Sequence, residues 1–267
     1  MDRTGGEGGW GLDGIDVAGP SDAPPIVFVH GSVFTRHMWA PQRRALSGEF
    51  RILAPDVPGH GARADEPFRF EPTLALLNEV IETHADGSAL VVGLSLGGYV
   101  STEYARRRPE RVDGLVLTGS SANPIDGLEL VTRAVGGVSR LATRSDLVER
   151  GVVRLAERWV RERNLPPDVE AEIIDAGFYP RPFGEAGPYL AGRDFRAALA
   201  EYPGPSLLLN GERDRLMRRG ERKHAAAARD ARVEVIDGVG HVCNLHRPRA
   251  YADAVRTFDR RAVARNR

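Results

Sequence analysis

The sequence predicts an α/β protein built on a mainly parallel sheet with helices on both faces. Three observations carry this. Apolar runs of strand length recur along the chain, longer amphipathic segments separate them, and 267 residues with 42% hydrophobic content suffice for a large core. The runs IVFVH (26–30), RILAP (51–55), ALVVG (89–93), GLVLTG (114–119), SLLLN (206–210) and RVEVI (232–236) are too short for helices and are bounded by Gly, Pro or polar residues. Between them, Leu74, Leu77 and Ile81 recur at the spacing of one helix face.

The elements follow in order. MDRTGGEGGWG lacks the apolar core of a signal peptide, so residues 1–9 are expected to be a flexible leader. Residues 10–122 form the first part of the core. From Asn123 to Pro205 no strand is evident. There Val148, Val152, Leu155 and Trp159 mark one helix face, Ser145 is placed as its N-cap, and NLPPD (164–168) breaks it. This stretch, 123–205, reads as a helical insertion, and 206–267 completes the core.

Bulk properties exclude several classes. Lys plus Arg and Asp plus Glu balance at 37 each, so no net field invites nucleic acid or an anionic membrane. Cys243 is the only cysteine, which rules out an intrachain disulfide and a Cys-rich zinc site. No apolar run reaches the roughly 18 residues of a membrane span. The expectation is a cytoplasmic protein, monomer or homodimer, acting on a small molecule with no metal or cofactor.

The chemistry centres on Gly93-Leu94-Ser95-Leu96-Gly97, a G-x-S-x-G pattern between a strand and the helical stretch GGYVSTEYARRR. Ser95 would sit on an abrupt strand-to-helix turn, where side chains two positions either side would collide, hence the glycines. The turn presents the hydroxyl at the carboxyl edge of the sheet, above a helix N-terminus that favours negative charge.

A serine needs a base. His241 in GVGHVCNLH follows the last strand; His246, five residues on, is the competitor. His30 and His60 are expected to order loops, and His37, His84 and His224 to lie on helix surfaces. The histidine needs an acid to hold its tautomer. Asp214 in LLLNGERD supplies it, with Glu212 as the alternative. Two backbone N–H donors would hold the oxyanion: Leu96, and Ser32 or Val33 after IVFVHG. Cys243 is expected to be a buried filler and Trp39 core.

HGSVFTRHMW (30–39), DVPGHG (56–61), GLSLGG (93–98), NGERD (210–214) and GVGH (238–241) together resemble the α/β-hydrolase fold superfamily, in its order of nucleophile, acid and histidine. The resemblance covers about residues 26–260. It implies an eight-stranded sheet, a helical cap after the sixth strand, and Ser95, Asp214 and His241 as a catalytic triad. Arg63 stands where the family usually has serine, and residues 10–18 leave little room for the N-terminal hairpin, so its first strand is expected to be shortened or missing.

The expected activity is hydrolysis of a carboxylic ester, lactone or thioester through an acyl-enzyme. A carbon–carbon bond hydrolase, a perhydrolase, an acyltransferase or a low-turnover ligand receptor would use the same triad. Aromatics of the insertion are expected to line an apolar pocket: Trp159, Phe178, Tyr179 and Phe183, with Tyr189 and with Val33 from the core.

Overall fold

The computed structural model describes residues 14–125 and 128–263. Seven strands form one sheet: β1 (Ile15–Ala18), β2 (Pro25–Val29), β3 (Arg51–Pro55), β4 (Ala89–Leu94), β5 (Val112–Thr118), β6 (Pro205–Gly211) and β7 (Asp230–Ile236), in the order β1-β3-β2-β4-β5-β6-β7. β1 runs antiparallel to β3, and every other pairing is parallel. The eighth strand implied by resemblance is absent among the described residues. β1 pairs Ile15 with Pro55 and closes the edge directly. The expected leader, and the first half of the expected hairpin, fall outside the described residues.

Strand alternation divides the core in two. On β2 and β4, Ile26, Phe28, Leu90, Val92 and Leu94 join one buried cluster, and Val27, Val29, Ala89 and Val91 the other, as the two-residue period requires. All are almost fully buried, which explains continuous apolar runs in a sheet covered on both faces.

Helix α1 (Ala40–Leu46) follows β2, α2 (Phe70–His84) follows β3 and α3 (Leu96–Arg107) follows β4. Between β5 and β6 come α4 (Leu128–Ala142), α5 (Asp146–Arg161), α6 (Pro167–Asp175), α7 (Arg181–Leu190) and α8 (Phe195–Glu201). Then follow α9 (Arg215–Ala227), α10 (Cys243–His246) and α11 (Pro248–Phe258). Leu46 of α1 and Tyr251, Val255 and Phe258 of α11 cover the first face, with Trp39 buried beneath them. Phe70, Leu74, Leu77 and Ile81 of α2 and Val100 and Tyr104 of α3 cover the second.

Two features of the insertion differ from expectation. α8 packs Phe195 and Leu199 into the second core cluster, so it belongs to the sheet's helix layer. On α5 the inward side is Val153, Ala156 and Val160; Val148 and Leu155 are exposed. Of the expected stripe, Trp159 packs on the core while Val148 and Leu155 face outward, on a helix that carries apolar residues on both sides. Ser145 occupies the N-cap position without a side-chain cap bond.

Candidate active site

The strand-to-helix turn has the geometry its glycines demand. Ser95 links β4 to α3 with φ 54° and ψ −116°, a strained conformation for a non-glycine residue. Its N–H donates to Thr118 O at 2.7 Å. A Cβ on Gly93 would lie 2.5 Å from Gly97 O, and one on Gly97 would collide with Val29 O. Gly98 similarly abuts Ser120 Oγ. The three glycines therefore let α3 start directly against the sheet.

The acid and the histidine come from neighbouring loops. Asp214 caps α9, accepting from Met217 N–H. Gly211 lets the two loops meet, because a Cβ there would strike Gly240 O. Asp214 Oδ2 lies 2.6 Å from Nδ1 of His241. A carboxylate only accepts, so Nδ1 carries the proton and Nε2 is left as the acceptor. Glu212 turns elsewhere, accepting Gly238 N–H at 2.8 Å and so holding the histidine loop. His246 is engaged by Arg163 and stacks edge-on to Trp159 at 5.2 Å.

Beneath His241 lies Gly119, at φ +61°, whose N–H donates to Asn210 Oδ1 at 2.9 Å. Asn210 also donates to the buried carboxylate of Glu221. This network was not anticipated. Its only sequence trace is an asparagine in an otherwise apolar strand, a buried polar group that requires partners.

The loop after β2 passes beside the serine. Gly31 packs so close that a Cβ would lie 3.3 Å from Ser95 Cβ. Ser32 follows, and then Val33 at φ 76°, a left-handed conformation costly for a β-branched residue. It is held by Tyr179, whose N–H donates to Val33 O at 2.7 Å. Leu96 is the first residue of α3, so its N–H has no partner within the helix.

His30 and His60 order this edge. His30 Nδ1–H donates to Gly31 O, Nε2 accepts Val57 N–H, and the two imidazoles meet edge to face at 4.7 Å. Burial pushes His30 down to about 4 and His60 down to about 3, so both are neutral at ordinary pH. His224, expected on a surface, is buried in the structure, and burial lowers its pKa too. Cys243 is fully buried, and burial pushes its thiol up to about 12, which makes it inert.

One cavity of about 500 Å³ is lined by Ser32, Ser95, Leu96, Asp214 and His241 together. Its remaining lining is mostly apolar: Tyr99, Met217 and Leu190, Phe183 of α7, and Leu128, Val131 and Val135 of α4. Of the expected pocket residues only Phe183 lines it. Phe178 and Trp159 pack on Phe34, with ring centroids 5.5 and 6.2 Å apart, and Tyr179 stands against His60. Tyr189 packs on Phe68. These aromatics bind the insertion to the core. Tyr99 and Met217 were missed, although each follows a site residue by one helical turn.

Asp16, His37 and Glu172 also bring ligand atoms within 4.8 Å of one another. Arg43 bonds both carboxylates and Arg36 bonds Asp16, so the acidic charge is already compensated. The cluster ties α6 to α1.

Residues 26–254 match the Alpha/beta hydrolase family. The chain belongs to that family. It is 29% identical over 238 residues to a pimeloyl-(acyl-carrier protein) methyl ester esterase of Aromatoleum aromaticum, covering 84% of this chain and 94% of that one. It is 24% identical over 263 residues to an uncharacterized carboxylesterase of Bacillus subtilis, covering 93% and 83%. This hydrolase also shares its fold with a thermophilic esterase from Thermogutta terrifontis, at a TM-score of 0.75, 24% identity and 93% coverage of both chains.

Proposed function

We propose that the protein is a serine hydrolase that cleaves a carboxylic ester, lactone or thioester of a small apolar or aromatic substrate through an acyl-enzyme. The observation that carries this reading is the shared cavity: Ser95 on its strained turn and His241, bonded to Asp214, line the same apolar space. The esterase names of its relatives support ester cleavage.

In this reading Ser95 Oγ attacks the acyl carbon while His241 Nε2 takes the hydroxyl proton. Asp214 holds the imidazole and stabilises its cation. The N–H groups of Leu96 and Ser32 receive the developing oxyanion, each such donor contributing roughly 2.7–4 kcal/mol. Collapse expels the alcohol or thiol, protonated by His241. Water then gives its proton to His241 and attacks the acyl carbon, releasing the acid and restoring Ser95. Helices α4–α7 act as the cap, and the acyl or aromatic part lies against Tyr99, Phe183 and the α4 side chains.

The test is a fluorophosphonate probe with mass mapping, alongside turnover of p-nitrophenyl butyrate. Labelling is expected on Ser95, and Ser95→Ala is expected to fold normally while losing both labelling and nearly all turnover. Unchanged turnover in that variant would sink the mechanism.

A further inference from the structure

An amphipathic helix on a protein surface normally turns its apolar stripe inward. α4 does the reverse. Its sequence sets Leu128, Leu130, Val131, Val135, Val138 and Leu141 on one arc, and Glu129, Thr132, Gly136 and Ser139 on the other. The second arc is the packed one. Gly136 is buried against α7, where a Cβ would lie 2.9 Å from Gly187 Cα, and a Cβ on Gly187 would lie 2.8 Å from Gly136 Cα. One on Gly184 would lie 2.6 Å from Arg140 N. This glycine seam sets the roll of the helix and leaves the apolar arc in solvent: Leu130 is 71% exposed, Val138 69% and Leu141 67%.

Leu128, Val131 and Val135 rim the cavity mouth with Phe183 and Leu216, both also exposed. Leu130, Val138 and Leu141 carry the same apolar surface outward from it. Contiguous apolar patches of this kind mark interaction sites, whereas exposed apolar residues scattered singly do not.

The charges on the neighbouring helix α9 are one-sided. α9, which begins at the mouth, carries Arg215, Arg218, Arg219, Arg222 and Lys223 against a single acid, Glu221, which is buried. Arg133 on α4, and Arg215 and Arg219 flanking Leu216, are exposed and form no ion pair among the described residues; Arg140 lies on the packed side, with its Cβ near Gly184 of α7. The balanced net charge, which argued against an anionic membrane, conceals this asymmetry.

We propose that the α4 face docks on an anionic lipid bilayer with the cavity mouth turned toward it. The uncharged arc meets the acyl region and the bordering arginines meet headgroup phosphates. A second copy of the chain is a poorer occupant, because face-to-face pairing would oppose two basic rims. The docking stands on this geometry alone; that an ester passes from the bilayer directly into the cavity rests on the hydrolase reading.

Flotation of the full chain with vesicles of equimolar phosphatidylglycerol and phosphatidylcholine, or of phosphatidylcholine alone, tests it. Binding is expected on the anionic vesicles and about tenfold weaker on the neutral ones. The triple variant Leu130→Ser, Val138→Ser, Leu141→Ser is expected to lose binding by about tenfold or more. It should keep its turnover of p-nitrophenyl acetate, because none of the three lines the cavity. Arg133→Gln and Arg219→Gln are each expected to weaken binding about fivefold. Failure to float with either vesicle, or equal binding to both, overturns the proposal. So does a dimer in light scattering that the triple serine variant dissociates, since a second copy would then cover the face. Flotation without fluorophosphonate labelling of Ser95 leaves the docking standing and removes only the hydrolase reading.

Discussion

Gly119→Ala tests the geometry of the site without replacing a proposed catalytic side chain. A Cβ at Gly119 would lie 2.6 Å from Cε1 and 2.9 Å from Nδ1 of His241, where ordinary contact begins near 3.4 Å. The backbone cannot easily retreat, because Asn210 Oδ1 holds the Gly119 N–H and Asn210 is itself held by Glu221. The ring must therefore yield, and its side chain, 39% exposed, has room to swing outward. A shift of roughly 0.8–1 Å breaks the 2.6 Å bond to Asp214 and, at about 100-fold for a misplacement of that size, raises the barrier by about 2.7 kcal/mol. The left-handed φ adds a stability cost of about 1 kcal/mol, or a few degrees in Tm. The assay is steady-state hydrolysis of p-nitrophenyl butyrate, with thermal melting alongside. We expect kcat/KM to fall about 100-fold, mostly in kcat. Gly192→Ala is the control: its φ is +81° with nothing within 4 Å of a Cβ, so it should lose stability and keep activity. A Gly119→Ala variant within about threefold of the parent kcat/KM would refute the reasoning, because the ring would then tolerate displacement.

Asp214→Asn should reduce kcat by orders of magnitude, since the amide favours the wrong histidine tautomer. Glu212→Gln should cost far less, and the reverse ranking would move the acid to Glu212. Across p-nitrophenyl esters, kcat/KM should rise from acetate to medium acyl chains, each buried methylene contributing up to about 0.8 kcal/mol, then fall once the cavity is full. Phe183→Ala should shift that optimum and Trp159→Ala should leave it, because only Phe183 lines the cavity; identical profiles in both variants would misplace the acyl site. Stability should also fall with acid. His30 and His60 are neutral when folded but protonate below about 6.5 when unfolded, so their contribution is complete above that pH and is lost as pH falls toward about 4 and about 3. Each should cost about 2 kcal/mol between pH 6.5 and 5. A flat Tm across that window would contradict their neutral burial.

Much of this protein is legible locally. A strand's period of two and a helix's period near 3.6 are properties of short segments, so the six mutually parallel strands stand in the sequence within a residue or two of their observed ends, and Leu74, Leu77 and Ile81 mark the buried face of α2. Ser95 is legible for the same reason, since its flanking glycines exist to relieve clashes within one turn. Choices between partners far apart in the chain are legible only in part: Asp214 is expected ahead of Glu212, with Glu212 left open as the alternative. Glu212 and Asp214 are chemically alike, and only the fold aims one at His241 and the other at Gly238 N–H. Trp159, Phe178 and Tyr179 have the composition of a pocket, yet the packing of the insertion on Phe34 and His60 places them outside it. α4 carries the clearest lesson. Its amphipathic pattern fixes which residues share a face, but not which way that face points. The direction is decided by the close approach of Gly136 and Gly187, residues 51 positions apart that meet only in the folded chain.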